Sequence, residues 1–429
     1  MTSLIIFTLL ALLLITGMPV SIALGLTVLI YLFTLTHVPV EAVALKLFTS
    51  IERFEIMAIP FFILAGSFLT HGGVARRMIR FATAMVGHWH GGLGLAGIVS
   101  CALFAAISGS SPATVVAIGS ILMPAMVKAG FPKEFGTGAI TTAGALGILI
   151  PPSIVMVMYA VATNSSIGTL FMAGIVPGLV LAGLLGLVTW YRARRFGYPR
   201  QPIASWRERW QALRDSFWGL SLILLVMGGI YSGLFTPTEA AAMSAVYAFF
   251  VATCIYKDLK LSETPGVLLE AANMSAMLLY IIANAILFSF LLTYENIPQA
   301  MSAWMLSLGL GKVMFLLAVN ILLLIAGDFM EPSSIILIMA PLLFPVATSL
   351  GIHPIHFGII LTVNMEIGMV TPPVGLNLYI ASGLNRMGLG EVTIAALPWM
   401  IAMLAFLVLV TYWPPLSLWL PSLLGMLSF

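Results

Sequence analysis

Two short stretches of this chain combine helix-breaking residues with oxygen-bearing ones, and each occurs twice in the same order. The first copy holds Ser108-Gly109-Ser110-Ser111-Pro112, a Gly-x-Pro turn at Gly130, then Gly147-Ile148-Leu149-Ile150-Pro151-Pro152. The second holds Gly327-Asp328-Phe329-Met330-Glu331-Pro332, a turn between Gly351 and Pro354, then Gly368-Met369-Val370-Thr371-Pro372-Pro373. Gly147 and Gly368 stand 221 positions apart, and Pro112 and Pro332 stand 220 apart. Proline removes a helix donor and glycine admits backbone angles other residues avoid, so each run should interrupt a helix. An interrupted helix frees carbonyl oxygens to coordinate a cation. The restarting half-helix offers amide hydrogens and a positive dipole end to an anion. Hydroxyls of Ser108, Ser110, Ser111, Thr141, Thr142 and Thr371, with the amides of Asn364 and Asn377, add further oxygen. An all-oxygen donor set suits a hard cation such as Na⁺.

The elements that must position these groups are apolar helices. Charged residues make up 8% of the chain, against roughly 25% in soluble globular chains. Long apolar runs occupy 4–36, 56–69, 170–190, 217–231 and 395–412, and a membrane span needs about 20 such residues. The fold class expected is an all-α polytopic membrane protein. In that setting, paired interruptions in two halves of a chain mark the binding site of a secondary transporter. The first apolar run lacks a basic leader, and a second follows Pro19, so a retained span is expected rather than a cleavable signal. The net charge of +3 is no argument for nucleic acid, because the basic residues are few and clustered. Cys101 and Cys254 lie in apolar runs and read as small core residues, not as a disulfide.

Lys and Arg set the orientation. The stretch 192–214 carries seven arginines and is assigned to the cytoplasm. Counting spans outward from it also brings Lys128, Lys133, Lys257, Lys260 and Arg76, Arg77 and Arg80 inside. The N-terminus is then outside, and the two repeats fit one scheme only if inverted. The segment 94–127 has basic residues before it and Lys128 after it, and breaks at 108–112. It should enter from the cytoplasm, turn at mid-membrane and return. The segment 312–350, broken at 327–332, should do the same from outside. Irregular backbone at that depth is tolerated only inside protein or beside a water-filled cavity. After each hairpin a broken helix is expected, 135–162 interrupted near 144–152 and 355–382 interrupted near 364–373.

Each signal has a plainer explanation. Ser and Thr in membrane helices often bond only their own backbone, and a single Gly-x-x-x-Pro-Pro would be a kink. Duplication in order is what favours function. Asp328, Glu331 and Glu366 are intramembrane acids, each costing at least ~2.5–3.5 kcal/mol to insert, so they mark a cation pathway or a paired structural site. Glu331 beside Pro332 could equally be a helix cap. No Lys or Arg falls between Glu134 and Tyr191, or between Val313 and Asn385. An anionic substrate would therefore lean on Na⁺, helix dipoles and hydroxyls, which links substrate binding to ion binding. His88-Trp89-His90 reads as an interfacial anchor, His353 and His356 lack a third ligand, and Thr236-Pro237-Thr238-Glu239 reads as a helix start. A Walker A run, paired catalytic carboxylates and a Ser-His-Asp arrangement are absent from the sequence, so no enzyme activity is expected.

Several of these runs carry a family resemblance. They are Ala58-Ile59-Pro60-Phe61-Phe62, Phe104-Ala105-Ala106-Ile107-Ser108-Gly109-Ser110-Ser111, Gly147 to Ser153, Thr236 to Ala241, Phe329-Met330-Glu331-Pro332-Ser333 and Asn364-Met365-Glu366-Ile367-Gly368. Together they resemble the large membrane subunit of tripartite ATP-independent periplasmic (TRAP) transporters, almost end to end. The likeness is nearest to the C4-dicarboxylate branch, with the sialic-acid branch next. Asp328 departs from the pattern, since relatives often carry Asn there.

The resemblance implies an ion-transporter-superfamily fold with an elevator motion, in a bacterial inner membrane. It divides the chain into scaffold helices at 1–70 and 217–293, amphipathic arms at 71–90 and 294–311, transport-domain halves at 91–191 and 312–429, and a cytoplasmic basic linker at 192–216. It implies Na⁺ at two places. One is formed by Ser108, Ser110, Ser111, Gly144, Gly147, Ile150 and Pro151, the other by Gly327, Asp328, Glu331, Gly368, Thr371 and Pro372. An organic acid would lie between the tips, held by Ser108, Ser110, Thr141, Asn364, Thr371 and Asn377. The implied partners are a periplasmic substrate-binding protein and a small four-helix membrane subunit, expected as a separate chain because the large-subunit pattern begins at Leu4. The competing expectation is a stand-alone Na⁺–carboxylate symporter that needs no binding protein.

Overall fold

The computed structural model describes residues 2–36, 38–307 and 311–427. The apolar run 4–36 is two helices, α1 (Thr2–Ile15) and α2 (Val20–Leu35), separated at Gly17-Met18-Pro19, where Gly17 takes φ +81°. Then come α3 (Val40–Ile51), a 3₁₀ turn (Phe54–Met57), α4 (Ala58–His71) and the short amphipathic α5 (Val74–Val86). A first hairpin pairs α6 (Gly92–Ser108) with α7 (Ser111–Lys128). A broken helix follows: α8 (Lys133–Gly144), a 3₁₀ turn (Ala145–Ile148) and α9 (Ile154–Thr163). The long α10 (Ile167–Arg195) closes the first half.

The second half opens with α11 (Trp206–Tyr231), α12 (Pro237–Phe250) with a π turn (Val251–Ile255), and α13 (Thr264–Tyr294). The short α14 (Ile297–Ser307) precedes a second hairpin, α15 (Lys312–Gly327) with α16 (Pro332–Ser349). A second broken helix, α17 (Pro354–Gly368) and α18 (Leu376–Asn385), is followed by α19 (Leu389–Tyr412) and α20 (Pro415–Leu423). The order hairpin, broken helix, long helix thus occurs twice, and the all-helical membrane fold expected from composition is what forms. Among the described residues, eight helices or helical stretches are long and apolar enough to cross a membrane. The arm expected over 294–311 is helical through Ser307, and residues 308–310 lie outside the described residues.

Two boundaries differ from the sequence reading. The second break begins only at Met369, because 354–368 continue as regular helix past Asn364 and Glu366. The basic stretch 192–216 is mostly helical: α10 runs to Arg195 and α11 starts at Trp206. Long side chains such as Arg extend a helix readily. Ser205 then sets the restart, its hydroxyl accepting from the Glu208 N–H while Glu208 accepts from the Ser205 N–H. Thr236 and Glu239 form the same reciprocal cap at α12, with Pro237 in the first turn. Each such cap satisfies two amides that the helix itself leaves open.

Small residues let the helices close. Ala240, Ala241, Ala245 and Ala248 are buried on α12, which packs along α4. Close approach of this kind replaces the hydrophobic drive that lipid removes. The two repeats interlock: α16 packs on α9, and α18 packs on α7. Trp399 on α19 is fully buried and donates from Nε1 to Thr189 Oγ1 on α10 at 2.8 Å. His356 is likewise a satisfied core group, with Nδ1 2.7 Å from Ser417 Oγ and Nε2 3.3 Å from the Thr411 carbonyl.

Polar contacts gather the chain ends of the helices on two faces. On one, Arg77 pairs with Asp258, Arg80 with Asp215, Arg200 with His90, and the Gln201 N–H with the Gly87 carbonyl. These are the segments that the charge pattern assigns to the cytoplasm. On the other, Arg53 donates from Nη1 to the Val161 carbonyl at 2.8 Å and to Asn164 Oδ1 at 2.7 Å. Thr238 Oγ1 reaches the Phe54 carbonyl beside it.

Candidate functional site

The first hairpin turns on two residues. α6 ends at Ser108, Gly109 takes the left-handed conformation with φ +60°, and Ser110 is extended. Pro112 then restarts the helix from within its first turn. Ser108 Oγ lies 3.1 Å from Thr114 Oγ1, and Thr114 Oγ1 donates to the Ser110 carbonyl at 2.8 Å. The second hairpin turns through Asp328, Phe329, Met330 and Glu331 before α16. Glu331 occupies the cap position there without making a capping bond. Its carboxylate accepts from Ser333 Oγ at 2.6 Å.

Glycines press each tip onto the matching break. A Cβ on Gly147 would sit 2.6 Å from the Ser110 carbonyl oxygen, and one on Gly109 would sit 2.8 Å from that of Pro152. In the second copy, a Cβ on Gly368 would lie 2.7 Å from Gly327 Cα, and the Val374 N–H donates to the Asp328 carbonyl at 3.1 Å. Pro151-Pro152 and Pro372-Pro373 are both cis. The structure therefore brings residues 108–112 to 144–152, and 327–332 to 368–374. The tip of the first hairpin also touches α4, where a Cβ on Gly66 would lie 3.3 Å from Ser108 Cα.

Both tips open into one cavity of about 440 Å³, which falls in the range of small-molecule sites. Ser108, Ser110, Ser111, Pro112, Glu331 and Ser333 line it. Ser67, Thr70 and His71 of α4 and Glu270 and Met274 of α13 complete its lining on another side. His71 Nε2 lies 3.7 Å from Glu270 Oε2. His71 and Glu270 also line another pocket together with Asp258, the partner of Arg77. The N-termini of α7 and α16 meet at the cavity of the two tips, and no Lys or Arg lines it among the described residues. Among those residues, too, His, Cys, Asp and Glu nowhere converge in threes as a metal site. A cation here would be held mainly by carbonyl, hydroxyl and amide oxygens, with at most single carboxylates among them.

The other sequence candidates stand behind the cavity wall. Gly144 packs on Val115, Ile150 on Gly178, and Pro151 is buried in the break. Thr141 donates its hydroxyl to the Thr137 carbonyl at 2.6 Å, and Thr371 donates to the Ile367 carbonyl at 2.8 Å, so both serve their own helices. Pro372 is exposed. Asn364 is fully buried and donates to Asn320 Oδ1 at 2.8 Å and to the Ile360 carbonyl at 2.9 Å. Asn320 in turn donates to Thr411 Oγ1 at 2.9 Å. Asn377, also fully buried, donates to Ser111 Oγ at 2.7 Å.

What these groups share is unmet acceptor capacity. Asn364 Oδ1, Asn377 Oδ1, Asp328 Oδ1 and both oxygens of Glu366 are buried without a hydrogen-bond donor. Buried polar groups are nearly always paired, and an unpaired one costs about 1–3 kcal/mol, more when charged. Oxygens left open in this way around two backbone breaks are what a bound cation would satisfy. Sequence reasoning missed Ser333, Asn320 and the His71–Glu270 pair. Asn320 was visible as a lone amide in an apolar helix, whereas Glu270 looked like an ordinary residue of a long span.

A family model described as the DctM component of tripartite ATP-independent periplasmic transporters matches residues 7–416. The chain is 69% identical over 440 residues to the C4-dicarboxylate TRAP transporter large permease protein DctM of Rhodobacter capsulatus, covering 99% of this chain and 100% of the relative. It is 34% identical to the sialic acid TRAP transporter large permease protein SiaM of Vibrio cholerae, covering 96% of each. In fold it is similar to the crystal structure of the YdaH transporter of Alcanivorax borkumensis, with a TM-score of 0.63 at 17% identity over 90% of this chain and 88% of that one. The likeness to large permeases runs the length of the membrane fold and covers both broken repeats. This inner-membrane chain belongs to the DctM-component family of tripartite ATP-independent periplasmic transporters.

Proposed function

We propose that this chain is the large membrane component that carries a C4-dicarboxylate inward, coupled to Na⁺. The observation that carries the proposal is the cavity where both hairpin tips meet, backed by buried oxygens that have no donor. The substrate class follows the printed names of relatives such as the Rhodobacter capsulatus permease. A dicarboxylate entering this cavity meets Glu270 and Glu331 and no Lys or Arg. Two like charges about 5 Å apart repel by ~3 kcal/mol at an effective dielectric of 20. The N-termini of α7 and α16 offset part of this, and Na⁺ at the two tip-to-break junctions offsets the rest. The ions thereby create the anion site, and neither species binds well alone. That mutual dependence is the basis of symport.

In this reading the cavity is in its inward-open position, with Arg53 closing the outer side against Val161 and Asn164. The hairpins and broken helices move together past α4 and α13, with Gly66 giving the Ser108 tip room to slide. A periplasmic binding protein delivers the acid, and a separate small membrane subunit pairs with the scaffold. The test is uptake into proteoliposomes holding this chain and the small subunit, under an imposed Na⁺ gradient, with and without the binding protein. C4-dicarboxylates, sialic acid and other organic acids are compared. Uptake that needs both Na⁺ and the binding protein is expected for a C4-dicarboxylate. Uptake with Na⁺ alone would establish a stand-alone symporter, and transport of sialic acid in preference would overturn the substrate class.

A further inference from the structure

A second pocket, of about 540 Å³, lies on the basic face, away from the tips. Arg76, Arg77 and Arg80 reach it from α5, and Arg214 reaches it from α11. Arg77 pairs with Asp258, and its Cζ lies 3.7 Å from the Tyr256 ring centroid, so this guanidinium is held in place. Arg80 donates to Asp215 Oδ2 at 2.8 Å. Arg76 and Arg214 are exposed and carry no ion pair among the described residues. Two of the four positive charges are therefore unbalanced.

The rest of the wall is Asp215, already paired with Arg80, the Tyr256 ring under Arg77, and an apolar side. Trp218 and Ile255 line the pocket and are each 40% exposed. Beyond them the exposed surface continues through Phe217 and Phe250. One end of the pocket is cationic and the other joins an aromatic and aliphatic belt of the kind found at membrane interfaces. Guanidinium groups match phosphate oxygens in geometry as well as charge. A free phosphate would use only the arginines, whereas a phospholipid uses both ends.

We propose that this pocket binds the phosphodiester headgroup of an anionic phospholipid from the cytoplasmic leaflet, with its acyl chains along Trp218 and Ile255. Basic pockets on cytoplasmic faces recognise such lipids by this combination. The bound lipid bridges Arg76 on α5 to Arg214 on α11, and so ties the arm preceding the first hairpin to the scaffold.

The test uses the purified, delipidated full chain, with phosphatidylglycerol, phosphatidylcholine or inorganic phosphate added. Lipid retention is read by native mass spectrometry and stability by thermal unfolding. Phosphatidylglycerol is expected to be retained and to raise the unfolding temperature, and the other two are not. The double variant Arg76→Gln, Arg214→Gln should weaken phosphatidylglycerol binding about tenfold or more, while Lys128→Gln, an exposed charge on the same face, leaves it unchanged. Equal retention by the double variant and the wild type would overturn the proposal. So would displacement of the lipid by phosphate alone, which would make this a simple anion site. Should the double variant fail to fold, two measurements remain. Trp218→Ala should lower retention with the arginines intact, and hydrogen exchange over residues 74–86 of the wild type should slow with phosphatidylglycerol. No change in either would refute it.

Discussion

Asn377, on the second broken helix, donates from Nδ2 to Ser111 Oγ at the first hairpin tip, 2.7 Å away. It also reaches the Thr141 carbonyl at 3.4 Å, while its own Oδ1 is buried without a donor. The two repeats, 266 residues apart at this contact, are thus tied together beside the cavity. The bond orients the Ser111 hydroxyl and leaves an oxygen open on the same side chain.

Replacing Asn377 with Ala removes the tie and strands Ser111. The expected cost is about 1–3 kcal/mol of stability, together with a marked loss of Na⁺-driven uptake. Asn377→Asp keeps the oxygen but loses the donor to Ser111. Thermal unfolding and uptake, measured on both variants, separate the tie from the open oxygen. If the Ala variant transports normally, the inter-repeat bond has no part in the site.

The glycine contacts give a sharper steric test. Gly368→Ala sets a methyl 2.7 Å from Gly327 Cα, and Gly147→Ala sets one 2.6 Å from the Ser110 carbonyl oxygen. Both neighbours are backbone and cannot swing away, so overpacking of about 1–3 kcal/mol is expected for each. Tip and break would part, and uptake should fall with the unfolding temperature. Gly228→Ala, with nothing within 4 Å of the added methyl, should be neutral or stabilising.

Glu366 is fully buried and neither carboxylate oxygen has a donor. If a cation satisfies it, Glu366→Gln should raise the Na⁺ concentration for half-maximal uptake about tenfold or more. If a proton satisfies it, the same variant keeps its Na⁺ dependence and loses a pH dependence of uptake. Titrating uptake against Na⁺ at two pH values distinguishes these results. An unchanged response in both dimensions would make Glu366 a passive core residue.

The sequence by itself determined the class, the paired interruptions and the side that carries the arginines. Each of these depends on local chemistry. A low charge content commits a chain to lipid, Ser-Gly-Ser-Ser-Pro and Gly-x-x-x-Pro-Pro break a helix wherever they fall, and Lys and Arg stay at the membrane surface. Only the tertiary structure decided which side of each element faces the cavity. Thr141 carries a hydroxyl as Ser110 and Ser111 do, and Asn364 offers an amide oxygen, yet Thr141 turns its hydroxyl to its own helix and Asn364 bonds Asn320. The second break begins at Met369, five residues later than the Asn364 at which it was expected to start, since nothing before Gly368 disfavours helix. Glu270 and His71 reached the cavity by the packing of distant helices, which no spacing along the chain encodes. Local breaks are written in residue type, whereas the face a side chain presents is fixed by which helix packs behind it.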